Sequence, residues 1–252
     1  MLTLHALTTG YRHTIISQHL NATLPQGTLT ALLGTNGAGK STLLRTLARF
    51  QPPLAGSISW QGTDTALLSA RQLARTMSVV LTFKPEAEAL TAAEVVEMGR
   101  IPYTTMLSGT SEADRQAVEQ AMQLTRTTPF AHRPISTLSD GERQRVFIAK
   151  ALAQNTPVIL LDEPTAFLDF PAKIATMRLL KKLAHDAQKT ILLSTHDVEL
   201  ALHMADNLWL LNQQTLTSGS PQLLAANGCI GRFFNTEGVQ FDAATMRFDM
   251  RD

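Results

Sequence analysis

The stretch TALLGTNGAGKSTLLRTLA, residues 30–48, decides the fold, because three glycines, a lysine and two hydroxyl side chains interrupt an aliphatic run. Glycines clustered between a strand-like and a helix-like segment indicate a loop that wraps around a ligand. Residues 34–41 match G-x-x-x-x-G-K-[ST], in which backbone N–H groups surround phosphates, the lysine reaches the outer phosphates and the serine binds Mg²⁺. Residues 28–33 predict a buried strand and residues 40–47 a helix that begins at the loop, so a plain connecting turn is disfavoured. The pattern predicts a nucleotide site.

Length and composition restrict the function further. The chain has 252 residues, 22 Lys+Arg against 21 Asp+Glu, a net charge of +1 and one cysteine. A chain of this length can bury a hydrophobic core without stabilising disulfides or metal ions. Its near-neutral charge disfavours nucleic acid as a ligand. Cys229 cannot form an internal disulfide and is read as a structural residue, which favours a reducing cytoplasmic location. Because no run approaches 18 apolar residues, a membrane role requires a partner that spans the membrane.

The order of elements predicts an α/β fold. Residues 2–32 are typical of short strands with turns, and almost everything from Ala87 to Gln154 looks helical. Residues 228–252 are too mixed to assign. Further strands are predicted at 56–60, 77–81, 158–162, 190–194, 207–211 and 216–219, and helices from Pro171 and after a Ser220 cap.

Two carboxylates lie at the end of the predicted strand at 158–162. Asp162 and Glu163 lie where α/β sheets bind ligands, at the carboxyl end of a buried strand. Asp162 would hold Mg²⁺, directly or through water, and Glu163 would polarise the water that attacks the γ-phosphate. An ordinary helix start, D-E-P, is the alternative.

A further motif, LSDGERQ at residues 138–144, opens a helix-like segment. Ser139 and Glu142 have capping-box spacing, so a purely structural cap is one interpretation. Followed by the carboxylate strand, however, the segment resembles the signature of ABC-type ATPases, and the chain is similar to the nucleotide-binding subunit of an ABC transporter over nearly its full length. The resemblance implies a single domain, residues 1–252, with a P-loop NTPase (RecA-like) core and antiparallel β subdomain at 1–86 and 155–252. It places an inserted α-helical signature subdomain at 87–154.

The resemblance also implies site residues. The catalytic residues would be Lys40, Glu163 and the switch histidine His196, and the Mg²⁺ ligands would be Ser41 and Asp162. Asp169 resembles the D-loop aspartate that works across a dimer. The nucleotide-binding residues would be Tyr11, which resembles the A-loop aromatic that stacks on adenine, with Gly34, Thr35, Asn36, Gly37, Ala38, Gly39, Lys40, Ser41 and Thr42. The signature residues, which face the nucleotide of the opposite subunit, would be Ser139, Asp140, Gly141 and Glu142.

Simpler interpretations remain for three of these residues. Tyr11 could be a strand-end aromatic packed on the sheet, His196 a satisfied core histidine, and Asp169 a charge at a helix start. The chain also departs from the family pattern, with Asp140 and Glu142 where glycine and glutamine are usual. Thr82 occupies the position of the Q-loop glutamine.

The implied function is an ATP-hydrolysing subunit, with ATP and Mg²⁺ as cofactors, working as a head-to-tail homodimer. It would bind two integral-membrane permease subunits at the cytoplasmic face of the inner membrane as a peripheral protein, and act indirectly with an extracytoplasmic substrate-binding protein. LTAAEVVEMGRIPY, residues 90–103, resembles importers of iron-siderophore, haem or cobalamin-type metal chelates.

Proteins of other functional classes share some of these features. One alternative is a soluble ABC ATPase that acts as an assembly scaffold without a permease, for example in iron-sulfur cluster biogenesis. Nucleic-acid ATPases with long heptad arms or tandem modules do not fit in 252 residues. A small GTPase is disfavoured because the chain has no N-K-x-D motif.

Overall fold

The structure, a computed structural model, describes residues 1–12, 14–81, 89–104, 111–212, 214–235 and 238–250. The strands are β1 (Leu2–Tyr11), β2 (Thr14–Leu24), β3 (Leu29–Leu33), β4 (Ala55–Trp60), β5 (Thr63–Asp64), β6 (Met77–Val80), β7 (Val158–Leu161), β8 (Thr190–Ser194), β9 (Asn207–Leu211), β10 (Leu216–Gly219), β11 (Val239–Asp242) and β12 (Arg247–Met250). The helices are α1 (Lys40–Leu47), α2 (Ala70–Thr76), α3 (Ala92–Glu97), α4 (Glu112–Leu124), α5 (Asp140–Ala153), α6 (Phe170–Asp186), α7 (Val198–Met204), α8 (Pro221–Ala226) and α9 (Cys229–Phe233).

The first of two compact units comprises Met1–Ala66 and Leu180–Asp252. It holds an antiparallel sheet in the order β2-β1-β4-β5, and a second sheet in which β3 lies between β8 and β9. Both pairings of β3 are parallel, and Leu32 lies opposite Ser194 on one side and Trp209 on the other. Every residue of β3 is buried, as expected for a parallel strand covered on both faces. The carboxyl ends of β3 and β8 therefore lie at one edge of the sheet.

The second unit, Leu67–Leu179, contains the parallel pair β6 and β7 and three helices packed on each other. Helices α3, α4 and α5 supply the core residues Ala92, Val95, Val96, Val118, Ala121, Met122, Val146, Ala149 and Ala153. Gly99 allows close packing in this unit, because a Cβ there would lie 2.4 Å from the carbonyl oxygen of Lys150. The glycine of the GRIPY segment is thus explained by packing.

The predicted α/β fold with a P-loop-type core is confirmed, and most elements begin and end within one or two residues of the prediction. Ser220 caps α8 as expected, with its Oγ accepting from the backbone N of Leu223. Two expectations were incomplete. The opening strands are ten and eleven residues long rather than short, and the unassigned tail forms α9 and the hairpin β11–β12.

The division of the chain into a core and a helical subdomain at residues 87 and 154 stays a prediction. Within the described ranges, no helix combines the length and hydropathy needed to cross a membrane.

Candidate nucleotide-binding site

Glycines shape the loop between β3 and α1. A Cβ on Gly34 would lie 2.6 Å from the carbonyl oxygen of Leu211, and one on Gly39 would lie 2.6 Å from Cγ2 of Ile16. Gly37 and Gly39 have φ angles of 78° and 98°, which other residues rarely adopt. The loop is therefore a cradle that these glycines make possible, and such a cradle fits the phosphates of a nucleotide.

Helix α1 begins at this cradle with Lys40. The Leu43 backbone N donates to the carbonyl oxygen of Gly39 at 2.8 Å, so the helix starts directly after the last glycine. The Lys40 side chain is buried, and its Nζ donates to the carbonyl oxygen of Gly34 at 2.8 Å. Ser41 follows on the exposed side of the first turn. The helix N-terminus and the ammonium group together make this loop suited to anions.

Tyr11 ends β1 beside the same helix. The residue is 45% exposed, and its hydroxyl accepts a hydrogen bond of 3.2 Å from Oγ1 of Thr42. An aromatic that is nearly half exposed and tied to the P-loop helix has a face available for stacking. Its role in binding adenine stays a prediction.

His196 follows β8, at the sheet edge that also carries Gly34. The side chain is exposed, so the interpretation as a core histidine is wrong. The backbone N of Asp197 donates to Oγ1 of Thr195 at 3.0 Å, which closes a turn around His196. The structure therefore brings the P-loop, Tyr11 and His196 together within the first unit.

The carboxylates Asp162 and Glu163 lie in the second unit, directly after β7. Asp162 is 6% exposed, and its backbone N donates to the carbonyl oxygen of Val80 at 2.7 Å, which extends the β6–β7 pairing by one residue. Glu163 has a φ of 52°, in the left-handed region that a non-glycine residue occupies at a cost. This conformation is not predictable from the local sequence pattern.

Asp169 starts helix α6. Its Oδ1 accepts from the backbone N of Ala172 at 3.0 Å, so the helix-start interpretation holds structurally. The residue is exposed, and this cap does not exclude the D-loop role, which stays a prediction.

The signature segment forms the N-terminus of α5. Ser139 Oγ accepts from the backbone N of Glu142 at 3.3 Å, and Glu142 Oε2 accepts from the backbone N of Ser139 at 2.9 Å. The capping box is therefore real, and Ser139 remains exposed. Hydrogen bonds from Ser139, with weaker contributions from Arg133 and Arg145, lower the pKa of Glu142 below its usual value.

Arginines offset the two unusual carboxylates of the signature. Arg143 forms an ion pair of 2.9 Å with Asp140, and Arg133 lies 3.6 Å from Glu142. Sequence reasoning missed both, although the i, i+3 spacing of Asp140 and Arg143 is a signal for the first. It also missed Gln51, whose Nε2 donates to the carbonyl oxygen of Gly10 beside Tyr11, because no motif surrounds Gln51. Thr82 lies outside the described residues, as does the rest of the loop to residue 88.

Comparison with known families places the chain in a class. A family model described as "ABC transporter" matches residues 17–166, more than half of the chain. The chain belongs to the ABC transporter family and is one of its ATPases.

Its relatives narrow the class. The chain is 38% identical over 237 residues to an achromobactin transport ATP-binding protein of Dickeya dadantii, covering 94% of this chain and 88% of that protein. It is 39% identical to a petrobactin import ATP-binding protein of Bacillus anthracis, with coverages of 92% and 85%. Among solved structures, it resembles a dimeric bacterial ABC transporter cassette, at 29% identity and a TM-score of 0.77, covering 88% of this chain and 99% of that one. The same cassette has also been solved as a dimer bound to ADP and Pi.

Proposed function

We propose that this ATPase powers an importer of ferric siderophores or related metal chelates. The observation that supports ATP binding is the glycine cradle with buried Lys40, at the sheet edge that also holds His196. One of the two relatives is named for achromobactin transport and the other for petrobactin import. These names favour a siderophore as cargo. Neither of them is a scaffold without a transport role.

The residues of the first unit would bind ATP. The glycine loop and the N-terminus of α1 would hold the phosphates, and the Lys40 ammonium would move from the Gly34 carbonyl oxygen to the outer phosphate oxygens. Tyr11 would stack on adenine. His196, exposed at the end of β8, would contact the γ-phosphate and report whether it is present.

Glu163 would be the general base of hydrolysis. Glu163 would orient the attacking water and accept its proton. Ser41 and Asp162 would hold Mg²⁺, since hydroxyl and carboxylate oxygens are the donors this cation prefers. Bound Mg²⁺ would supply positive charge to the β- and γ-phosphate oxygens.

We propose that the working form is a head-to-tail homodimer. Ser139 and Gly141 would then contact the nucleotide held by a second copy, and the dimeric cassette that resembles this chain supports the arrangement. Two permease subunits would recruit the dimer to the cytoplasmic face of the membrane, and a binding protein outside it would deliver the cargo.

The P-loop assignment is tested by steady-state ATP hydrolysis with Mg²⁺. Lys40→Ala should abolish turnover because the outer phosphates lose their cationic partner. Lys182→Ala removes an exposed lysine from α6 and serves as the matched control. Wild-type turnover in Lys40→Ala would disprove the assignment.

The import function requires a cellular test. A strain lacking the gene should lose uptake of a radiolabelled ferric siderophore. Wild-type protein should restore uptake, and Glu163→Gln should not. Normal uptake in the deletion strain, for every siderophore that the organism uses, would refute metal-chelate import while leaving ATP hydrolysis intact.

A further inference from the structure

Gln51 connects the strand that carries Tyr11 to the P-loop helix. Its Nε2 donates to the carbonyl oxygen of Gly10 at 3.2 Å and to Oγ1 of Thr46 at 3.0 Å. Both bonds can come from one amide nitrogen, which has two hydrogens, and the carbonyl acceptor fixes the orientation of the amide group. Gln51 therefore joins the residue before Tyr11 to a buried hydroxyl of α1.

These bonds close a ring. Thr46 Oγ1 donates to the carbonyl oxygen of Thr42 at 2.8 Å, and Thr42 Oγ1 donates to the Tyr11 hydroxyl at 3.2 Å. The ring thus runs from Gly10 through Gln51, Thr46 and Thr42 to Tyr11, which follows Gly10 in the chain. Tyr11 is held twice, through its backbone neighbour and through its own hydroxyl.

The hairpin β1–β2 also contacts the phosphate loop directly. Ser17 Oγ donates to the carbonyl oxygen of Ala38 at 3.5 Å, and Ile16 lies where a side chain on Gly39 would have to go. The position of the Tyr11 ring relative to the phosphate cradle is therefore set by packing and hydrogen bonds within one unit.

We propose that Gln51 is a positioning residue that sets the Tyr11 ring at the distance from the P-loop required to stack on the base of an adenine nucleotide. This inference rests on the proposed binding of ATP at this loop. Gln51 touches neither the base nor the phosphates. It acts by fixing the end of β1 on α1, so its contribution concerns only ligands that carry a base.

The test compares ATP with inorganic tripolyphosphate, which has the phosphates but no base. Gln51→Leu should weaken ATP binding about two- to tenfold, which corresponds to the free energy of a typical hydrogen bond. Its affinity for tripolyphosphate should stay unchanged. Gln26→Leu is the matched control, because this exposed glutamine lies before β3, at the end opposite the loop, and should bind both ligands as wild type does.

Two further sets of variants separate the possible causes. Tyr11→Ala should weaken ATP binding roughly 5- to 150-fold, the range for loss of base stacking, and spare tripolyphosphate. Thr46→Val, which removes the buried hydroxyl, should behave like Gln51→Leu. Thr46→Ser, which keeps the hydroxyl, should restore wild-type ATP binding.

Each contrary outcome has one meaning. Equal losses for ATP and tripolyphosphate in Gln51→Leu would show a general structural role and overturn the inference. Normal ATP binding in Gln51→Leu beside a loss in Tyr11→Ala would overturn it as well, while the proposed function stands. Normal ATP binding in Tyr11→Ala would remove the stacking role and the inference with it. Failure of the wild-type protein to bind ATP would refute the proposed function itself.

Discussion

Replacing Glu142 by glutamine tests whether the unusual charge of the signature segment acts on nucleotide-driven dimerisation. Glutamine can make the same capping box, so the start of α5 should be kept. The change removes a negative charge from the N-terminus of a 14-residue helix and from the contact with Arg133 at 3.6 Å. Together these losses should lower the free energy of unfolding by about 1 kcal/mol at neutral pH.

The stability effect has a defined pH dependence. Hydrogen bonds from Ser139 hold the pKa of Glu142 below its ordinary value of 4.5. The stabilisation by the carboxylate is therefore fully present above pH 4.5, and it is lost as the pH falls through the lower pKa of the folded state. The stabilities of wild type and Glu142→Gln should therefore become more nearly equal as the pH falls below 4.5.

Dimerisation should change in the opposite direction. For an assumed separation of about 8 Å between the carboxylate and the phosphate oxygens, and an effective dielectric constant of roughly 20–40, the repulsion opposes association by about 1–2 kcal/mol. Glu142→Gln should therefore tighten the ATP-bound dimer at least about fivefold for each site. Sedimentation with ATP and Mg²⁺, on the Glu163→Gln background that slows hydrolysis, measures this constant.

The matched control is Glu94→Gln, which removes the carboxylate of another capping box in the same unit. It should leave dimerisation unchanged. An unchanged dimer constant in Glu142→Gln would show either that Arg133 neutralises the charge fully or that the segment does not face a nucleotide.

Three other predictions concern hydrolysis, acid stability and coupling. Glu163→Gln should keep ATP binding but hydrolyse it about 10²- to 10⁴-fold more slowly, and should accumulate as an ATP-bound dimer in size-exclusion chromatography. Asp114→Asn should lose about 1.5–3 kcal/mol of stability at neutral pH, because the amide has one acceptor oxygen and cannot accept from both Ser111 and Arg100 as the carboxylate does. Those bonds lower the pKa of Asp114 from 3.8 to about 2, so acid unfolding curves of the two proteins should converge as the pH falls from 3.8 towards 2. Thr82→Ala should leave ATP affinity nearly intact and lower the stimulation of hydrolysis by reconstituted permease; a large loss of ATP binding would make Thr82 a direct metal ligand.

Much of the fold follows from local patterns. Helix α1 was predicted to its last residue, because the glycine loop marks its start and the apolar spacing marks its length. Strands β7 and β8 are equally clear, since parallel strands buried on both faces are continuous apolar runs. The hairpin β11–β12 was missed because none of its residues is buried and its strands have no continuous apolar run; its apolar contact is a pair of phenylalanines, Phe241 and Phe248, with ring centroids 5.0 Å apart.

The residues of the candidate site also include some that local sequence predicts and some that it does not. Gly34 and Lys40 were predictable because their spacing is a chemical requirement of phosphate binding. Gln51 was not, because its partners, the Gly10 carbonyl and Thr46, are brought to it by tertiary packing of a strand on a helix. The partners of Glu142 likewise include Arg133, nine residues earlier, where no helical spacing applies.

Departures from local backbone preference occur in both loops to which the chemistry is assigned. In the loop after β3, the residues with positive φ include Gly37 and Gly39, which adopt this conformation without a side-chain clash. After β7, Glu163 adopts a φ of 52° although it is not glycine and although the following Pro164 favours an extended residue before it. Glycine would relieve that strain, but it has no carboxylate. Nine other described non-glycine residues also have positive φ, so this conformation alone assigns no function, and the role of Glu163 as the general base of ATP hydrolysis stays a prediction.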